Sequence, residues 1–506
     1  MRSARRQAGT MPARMEANPA PAGHAAESRG AANLATFGAR RHLASHRLPE
    51  PWVLVLAAAA VATVLLADLW ILWARDSVLL ALAPVGAVVG MLLILSHRQA
   101  AAYVMLLSLP FAEISIGHGA SLVRYVLLGT LAAWFIGISV SDSADWLRPD
   151  QTDIKVLLWL LASVASAAFL NASAAPGLAQ TYANLALVYF MASRTIRNAR
   201  QARGAVLALS IGIALVGLVS IAVPHVAGAV TDSGGLIRQG PLGTSGSAGI
   251  NRFGAWLAVG VTLPWVALDD AKRSSTIIAR CGSLISLVAL VATASKGAMI
   301  AVGVGLVLWV ILSPRGTRVT RAVATLASLA AVYLLLPASV HSRFAEFLQP
   351  NSHAYSRFAL WDAGLRIFLA HPIAGVGLGN FDLFAPAYFP QGTLYAEAQA
   401  AHNLLISALA ETGIIGTVLL ILMISAVLAE GIRLIRADRA LRRPDPAGRH
   451  WPPVPATYAR LTSGLVVGYL VFLTASLSVD LERDRYFVVL AGLVHSVYRA
   501  RGRVRA

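Results

Sequence analysis

The residues best placed to do chemistry are His402 and Asn403, which follow a long polar loop and open a long apolar segment. In a helix each residue advances by about 100°, so His402, Ile406, Gly413 and Gly416 would share one stripe. The two glycines would let a neighbouring helix approach the backbone closely. An imidazole held where such a helix meets water suits proton transfer or phosphate recognition. A histidine that anchors the helix end by bonding a loop carbonyl is the competing interpretation, and both stay open here.

Four cations lie near the ends of apolar segments. The distribution of Lys and Arg, described below, predicts that they lie on the same side of the membrane as His402. They are Arg238 in a glycine-rich loop, Arg252 at the start of the next apolar run, Lys296 in a short Ser-Lys-Gly connection and Arg357 in the long loop. Fixed cations on flexible loops at one membrane face could bind a pyrophosphate. For any one of them alone, a side chain that reaches lipid headgroups is the simpler interpretation. For the group together with His402 we favour a binding site.

Glu411 lies nine residues beyond His402, on the opposite face of the predicted helix. A carboxylate at that depth in an apolar segment must be protonated or paired inside the protein. We therefore expect Glu411, like Gly413 and Gly416, to have a structural role.

Several classes of site are disfavoured. The chain has no Gly-x-Ser-x-Gly turn, no phosphate-binding Walker loop and no His-Glu-x-x-His motif. Acidic residues of the outer loops are too dispersed for a metal site, so we predict no metal and no cofactor. A single cysteine, Cys281, excludes an intramolecular disulfide.

The composition is that of a membrane protein. Hydrophobic residues make up 57% of the 506 residues and charged residues 13%, whereas a soluble domain is about one quarter charged. The net charge of +18 is better explained by arginines that fix membrane orientation than by nucleic acid, since no nucleic-acid-binding motif appears.

Apolar runs that follow the first 50 residues predict an all-α, polytopic membrane helix bundle. They lie at about 51–73, 78–96, 100–116, 122–140, 154–170, 178–193, 204–223, 251–268, 276–293, 297–312, 319–336, 403–429, 459–479 and 484–498. Some are shorter than the roughly 20 residues that a span needs, so we expect about 12–14 spans.

This pattern divides the chain into five parts. They are a disordered basic tail (1–50), a transmembrane bundle of about 11 spans (51–336), a loop that forms a small helical cap (337–401), closing transmembrane helices (402–498) and a basic tail (499–506). In the cap, Tyr355–Ala370 has helical spacing, His371-Pro372 ends that helix, and a glycine-rich turn follows at 375–380.

The distribution of Lys and Arg predicts the orientation. With 14 spans and the N-terminus inside, the inner connections hold 24 of these residues and the outer ones 8. Because inner loops carry the excess of positive charge, both termini are expected in the cytoplasm and the cap outside.

At this point the sequence resembles a known superfamily. His402-Asn403, nine residues and then Gly413-x-x-Gly416 is similar to the signature of the O-antigen ligase and polymerase superfamily. The stretches 355–364 (Tyr-Ser-Arg-Phe-Ala-Leu-Trp-Asp-Ala-Gly) and 371–381 (His-Pro-Ile-Ala-Gly-Val-Gly-Leu-Gly-Asn-Phe) also resemble its outer segment. The close match covers about 355–416, and the rest matches in architecture.

The resemblance implies a GT-C type glycosyltransferase of the bacterial inner membrane that works at the periplasmic face without metal or nucleotide. Its donor would be an undecaprenyl-pyrophosphate-linked glycan, and its acceptor lipid A core or another glycan. His402 would be catalytic, and Arg238, Arg252 and Arg357 would hold the pyrophosphate. Asn403 and Lys296 would join the substrate site. Such enzymes often have arginine where this chain has Lys296, and lysine keeps the charge but loses bidentate phosphate binding.

Three functions remain in competition. The first is a glycan ligase, and the alternative is a repeat-unit polymerase, whose acceptor is another lipid-linked unit; protein O-oligosaccharyltransferases share the same signature. A flippase for the same lipid is the third, and the single long outer loop and the absence of internal repeats count against it.

Overall fold

The apolar runs fold into α-helices. The computed structural model describes residues 98–111, 148–222, 230–231, 237–238, 247–268, 273–335, 338, 341, 353–389, 400–441, 456–481 and 483–505. The described helices are α1 (Arg98–Ser108), α2 (Gln151–Leu170), α3 (Ala175–Thr195), α4 (Ala199–Ala222), α5 (Ser247–Ala267), α6 (Arg273–Thr293), α7 (Lys296–Leu312), α8 (Arg318–Leu335), α9 (His353–Ala370), α10 (Phe381–Phe384), α11 (Leu404–Leu441), α12 (Ala456–Ala475) and α13 (Arg485–Arg505). The predicted all-α class is confirmed. The small exception is a two-residue antiparallel ladder between β1 (Val230–Thr231) and β2 (Ile237–Arg238).

The chain is a polytopic helical membrane protein. Among the described residues, five helical segments are long and apolar enough to cross a membrane. They are Gln151–Leu170, Ala199–Ala222, Ser274–Thr293, Leu404–Asp438 and Tyr458–Ala475. The predicted tail at 1–50 and the predicted spans at 51–73, 78–96 and 122–140 lie outside the described residues, so the number of spans stays a prediction. Helix α13 continues to Arg505, through most of the segment predicted as a basic tail.

Helix α5 lies at the centre of the bundle and packs against α4, α6, α7 and α12. Small residues make the closest of these contacts possible. A side chain at Gly464 of α12 would collide with the backbone of Ala267 in α5, so the glycine sets the distance between the two helices. On the other side of the bundle, α2 packs against α3 and α11, and α13 packs against α3 and α12.

The described part of the cap consists of α9, a turn and α10. Helix α9 contains the predicted 355–370 helix and ends before His371-Pro372, as predicted. Gly375, Gly377 and Gly379 then adopt positive φ angles of 69°, 99° and 83°. Only glycine adopts such angles without strain, so these residues fix a tight turn.

This turn docks into a break in α11, and that finding corrects the predicted role of Gly413. Gly413 has φ 61° and ψ −159°, which interrupts the helix. The backbone groups freed by the break bond to the turn: Ala410 O and Glu411 O accept from Val376 N and Gly377 N, and Ile414 N donates to Pro372 O.

A side chain at Gly413 would collide with the Ile373 carbonyl. Gly413 therefore accommodates the turn and not a neighbouring helix, and the continuous stripe predicted from His402 to Gly416 does not form. The space beside Gly416 is filled by Thr412 of the same helix.

Candidate active site

His402 stands before α11 and not on it. Its φ of 52° is left-handed, which is uncommon for a residue with a side chain and is found mostly where surrounding contacts hold it. One carboxylate supplies those contacts, because Asp480 accepts the backbone N–H of His402 at 2.9 Å and that of Asn403 at 2.9 Å. The prediction that His402 shares a helical stripe is therefore wrong, and a strained bend places the imidazole instead.

Asn403 begins the helix. Its side-chain Oδ1 accepts from the backbone N–H groups of Leu405 (3.0 Å) and Ile406 (3.2 Å), which is the geometry of an N-cap. Its Nδ2 donates to the Leu477 carbonyl at 3.2 Å, and the residue is buried. Because both ends of the amide are engaged within the protein, we replace the predicted substrate-binding role of Asn403 with a capping role.

Arg357 brings a positive charge to His402. Burial, and after it the charge of Arg357, lower the pKa of His402 to about 4. Burial also lowers the pKa of Arg357, and the carboxylate of Asp480 opposes that change. The structure thus joins an imidazole, a guanidinium and a carboxylate, which we call the His402 junction (Arg357, His402 and Asp480). At neutral pH its imidazole is uncharged and able to accept a proton.

The loop between α12 and α13 connects the segment that contains Lys296 to the His402 junction. The Ser476 carbonyl accepts from Leu404 N at 2.9 Å, and a side chain at Gly297 would collide with Ser478. The Ser295-Lys296-Gly297 segment therefore packs against the loop that carries Asp480. Ala294, directly before it, is the second non-glycine residue with positive φ (49°) in the described part of the chain.

Arg252 lines a cleft at the same end of the bundle, together with two arginines that the sequence analysis had not selected. The cleft has a volume of about 240 Å³. Its polar lining residues are Gln180, Thr181, Asn184, Arg252, Arg483, Asp484 and Arg485. Arg252 Nε lies 3.9 Å from Asp484 Oδ2, and Arg483 donates to Glu411 Oε2 at 2.9 Å. Three guanidiniums line this cleft, and guanidiniums are the side chains best suited to bind an anion such as a phosphate.

Glu411 connects the cleft to the turn. Besides Arg483, it accepts the backbone N–H of Phe381 at 3.3 Å, and its side chain is buried. Glu411 therefore holds Arg483 at the cleft and the first residue of α10 at the break in α11.

Arg238 is the one predicted site residue that the structure does not place by its side chain. Its backbone pairs with Val230 in the short ladder. Its predicted role in binding pyrophosphate stays a prediction.

The residues that sequence reasoning missed are Asp480, Arg483 and Arg485. Arg483 and Arg485 carried a signal, since both are cations of a predicted outer loop. Asp480 carried none, because its role as an acceptor for backbone groups 77 and 78 residues away exists only in the folded chain.

Comparison with known proteins agrees with this part of the molecule. Residues 281–421 match the family described as O-antigen ligase, a range that includes Arg357, His402 and the break at Gly413. The match confirms the resemblance to the O-antigen ligase superfamily. No curated protein matches the chain significantly.

Proposed function

We propose that this chain, which carries an O-antigen ligase domain at residues 281–421, transfers a glycan from undecaprenyl pyrophosphate to an acceptor hydroxyl. The observation that carries the proposal is the His402 junction, where burial and the positive charge of Arg357 keep the imidazole neutral at the start of a helix. Glycan transfer from a pyrophosphate needs both groups, because negative charge develops on the leaving group while the acceptor loses a proton.

The reaction balances with these groups alone. The bond between the anomeric carbon and the pyrophosphate oxygen breaks, and its electron pair leaves with undecaprenyl pyrophosphate. The acceptor oxygen forms the new bond to the anomeric carbon, and its proton passes to the imidazole of His402. Arg357 stabilises the departing charge, and water later removes the proton from His402.

The arginine cleft is the second part of the proposal. We assign Arg252, Arg483 and Arg485 to the anionic pyrophosphate, and the amides of Gln180 and Asn184 to hydroxyl groups of the glycan. Asp480 and Arg483 are three residues apart in one loop, which keeps the cleft close to the junction. Lys296 and Arg238 remain candidate pyrophosphate ligands.

Donor binding should also activate the base. In the free protein the charge of Arg357 lowers the pKa of His402. A bound pyrophosphate offsets that charge, so the pKa of His402 should rise when the donor is present. The imidazole then becomes a stronger base only in the complex that needs it.

The proposed site lies at the periplasmic face of the inner membrane, with both termini in the cytoplasm. The excess of Lys and Arg on the predicted inner connections supports this orientation. Reporter fusions within 337–401 should read periplasmic, and fusions at 437–450 should read cytoplasmic. Cytoplasmic readings from the cap would overturn the orientation and would require a cytoplasmic donor.

Transfer by the purified protein tests the function. The assay contains detergent-solubilised protein, a lipid-linked donor and either lipid A core or a second lipid-linked unit as acceptor. A ligase links the glycan to lipid A core, whereas a polymerase lengthens the lipid-linked glycan. If the protein flips the lipid in vesicles and forms no glycosidic bond with either acceptor, it is a transporter and not a glycosyltransferase.

A further inference from the structure

The first part of α11 runs across one face of the membrane and not through it. Its first residue, Leu404, donates its backbone N–H to the carbonyl of Ser476, which directly follows α12, at 2.9 Å. Near the break at Gly413, the Glu411 carbonyl accepts from Ser166 in the last turns of α2 at 3.3 Å. Both α2 and α12 contain segments that are long and apolar enough to cross the membrane. Residues 404 and 411 are about 10 Å apart along the helix, far less than the roughly 30 Å of the membrane core, so both helix ends lie at one face.

Helix α9 follows the same course as this part of α11. A side chain at Gly364 would collide with Ile406 of α11, and the Pro372 carbonyl accepts from Ile414 N, just beyond the break, at 2.8 Å. The buried side of α9 belongs to one apolar cluster with α10 and the start of α11. Helix α9 therefore lies at the same face of the membrane.

The remaining surface of α9 has an apolar side and a polar side. At about 100° per residue, Phe358, Leu365 and Leu369 lie within about 40° of one another, and we call these three residues the α9 stripe. Their exposed fractions are 57%, 44% and 75%. Asp362 and Arg366, an ion pair at 2.8 Å, lie beside the stripe on one side. A helix with one packed, one apolar and one polar side fits a boundary between lipid and water.

The α9 stripe is continuous with a surface of α11 that faces lipid. Beyond its break, α11 keeps more than the roughly 20 residues that a span needs. Ile414 and Ile415 begin the exposed apolar side of this spanning part, which continues to Leu422. Ile373, four residues beyond Leu369, is 66% exposed, and its carbonyl accepts from Ile415 N at 3.4 Å. Lipid that covers this side of α11 therefore reaches Ile373 and the end of the stripe.

We propose that the α9 stripe and Ile373 insert into the membrane leaflet at this face and bind its lipid, so that the cap is anchored in the membrane. Large apolar side chains that are exposed together mark an interaction site, and their continuity with α11 identifies lipid as the partner. Arg357 directly precedes Phe358, so the anchor holds Arg357 near the level of the lipid headgroups. This proposal is independent of the glycan-transfer function.

A second copy of the chain and the prenyl chain of a lipid-linked substrate are the competing occupants of the stripe. Vesicles made only of phosphatidylethanolamine and phosphatidylglycerol contain no prenyl lipid. A second copy would bring equivalent positions of two chains close together. A probe on the stripe, read in such vesicles, therefore separates the three occupants.

Spin labels on the full chain in these vesicles test the contact with lipid. The single native cysteine is removed by Cys281→Ser, and a nitroxide is attached at Leu369→Cys. The ratio of its collisions with oxygen, which concentrates among acyl chains, to those with a water-soluble nickel chelate should match that at Leu422→Cys. Ala370→Cys is the matched control, since Ala370 is also exposed but lies about 100° away, on the side of Arg366. We expect a ratio that is severalfold lower there.

Photocrosslinking of the unchanged protein keeps the test decisive if the labelled variants do not fold. Lipid with a diazirine on its acyl chain should crosslink within residues 358–373. Equal collision ratios at Leu369→Cys and Ala370→Cys, or no crosslinks within 358–373, would overturn the proposal. Strong spin–spin coupling between two chains with little exposure to oxygen would assign the stripe to a second copy instead. Contact that appears only after a prenyl-linked lipid is added would assign it to the substrate.

Discussion

The two histidines at opposite ends of α2 show how neighbours decide what an imidazole does. The pKa of His402 is lowered by burial and by the charge of Arg357, and its backbone is held in a left-handed bend by Asp480. His495 lies within a regular helix and faces the carboxylates of Asp150 and Glu430. A neutral imidazole is favoured beside the cation, and a positive charge is favoured between the carboxylates. One end is thus suited to accept a proton and the other to hold a positive charge.

The two ends also differ in how they are built. The His402 end depends on backbone geometry: a strained bend, a glycine turn and a broken helix. The His495 end depends on side-chain ion pairs between helices that have no break at the residues concerned. Substitution of the histidine itself should therefore affect mainly activity at the first end and mainly stability at the second.

Replacing each histidine with glutamine should produce the largest and most contrasting effects. His402→Gln keeps a hydrogen-bonding group but cannot take a proton, so transfer should fall by roughly 10²–10⁴ while the protein remains folded. His495→Gln leaves the buried carboxylates short of one positive charge and should destabilise the fold by about 3–5 kcal/mol. Transfer rates per folded protein and thermal unfolding curves, measured on both variants, check the contrast.

The contrast between the two histidines would be contradicted if His402→Gln retained transfer or if His495→Gln lost transfer while it remained folded. A fully active His402→Gln enzyme would show that the imidazole only orients or binds substrate. Loss of transfer by well-folded His495→Gln would show that the residues around His495 take part in catalysis.

The break in α11 provides a second test of the backbone-built end. Gly413→Ala places a side chain at φ 61° and against the Ile373 carbonyl, so the turn should no longer dock. We expect a loss of stability of about 1–3 kcal/mol, together with lower transfer. The matched control is Gly303→Ala in α7, where a side chain meets open space and alanine should be neutral or slightly stabilising.

Normal stability and transfer in Gly413→Ala would contradict the described break. Equal losses in both glycine variants would indicate a general intolerance of α11 and α7 to substitution, and not a specific docking of the turn.

Features with local signals could be predicted from the sequence. The α9 helix, its end at His371-Pro372 and the turn that follows depend on apolar spacing, proline and glycine, which act within a few residues. His402 and Arg357 could be assigned to one site as a titratable group and an outer cation, and the structure adds the effect of the Arg357 charge on the His402 imidazole. Local chemistry thus indicated which residues to combine, but not the contact between them.

Features that depend on the folded backbone were missed or misjudged. The periodicity of α11 cannot reveal that Gly413 is left-handed, so its role was wrongly assigned to helix packing. Asn403 is a favoured N-cap residue directly before an apolar run, and that signal was available but not used. His495 is an ionisable group inside an apolar run and Glu430 directly follows one, which is an indication of partners that the sequence alone could not identify.

The dependence of transfer on pH tests most directly whether His402 is a neutral base beside a cation. A base must be deprotonated to act, so kcat/KM should fall only as the pH drops through the pKa of His402 in the free enzyme, about 4. In Arg357→Gln this fall should shift upwards, towards the ordinary value of 6.5. The corresponding fall in kcat, which reports the complex of enzyme and donor, should be centred at a higher pH than the fall in kcat/KM. Samples returned to neutral pH after exposure to acid control for unfolding. A fall of kcat/KM centred near 6.5 in the unchanged enzyme, or no shift in Arg357→Gln, would contradict the account.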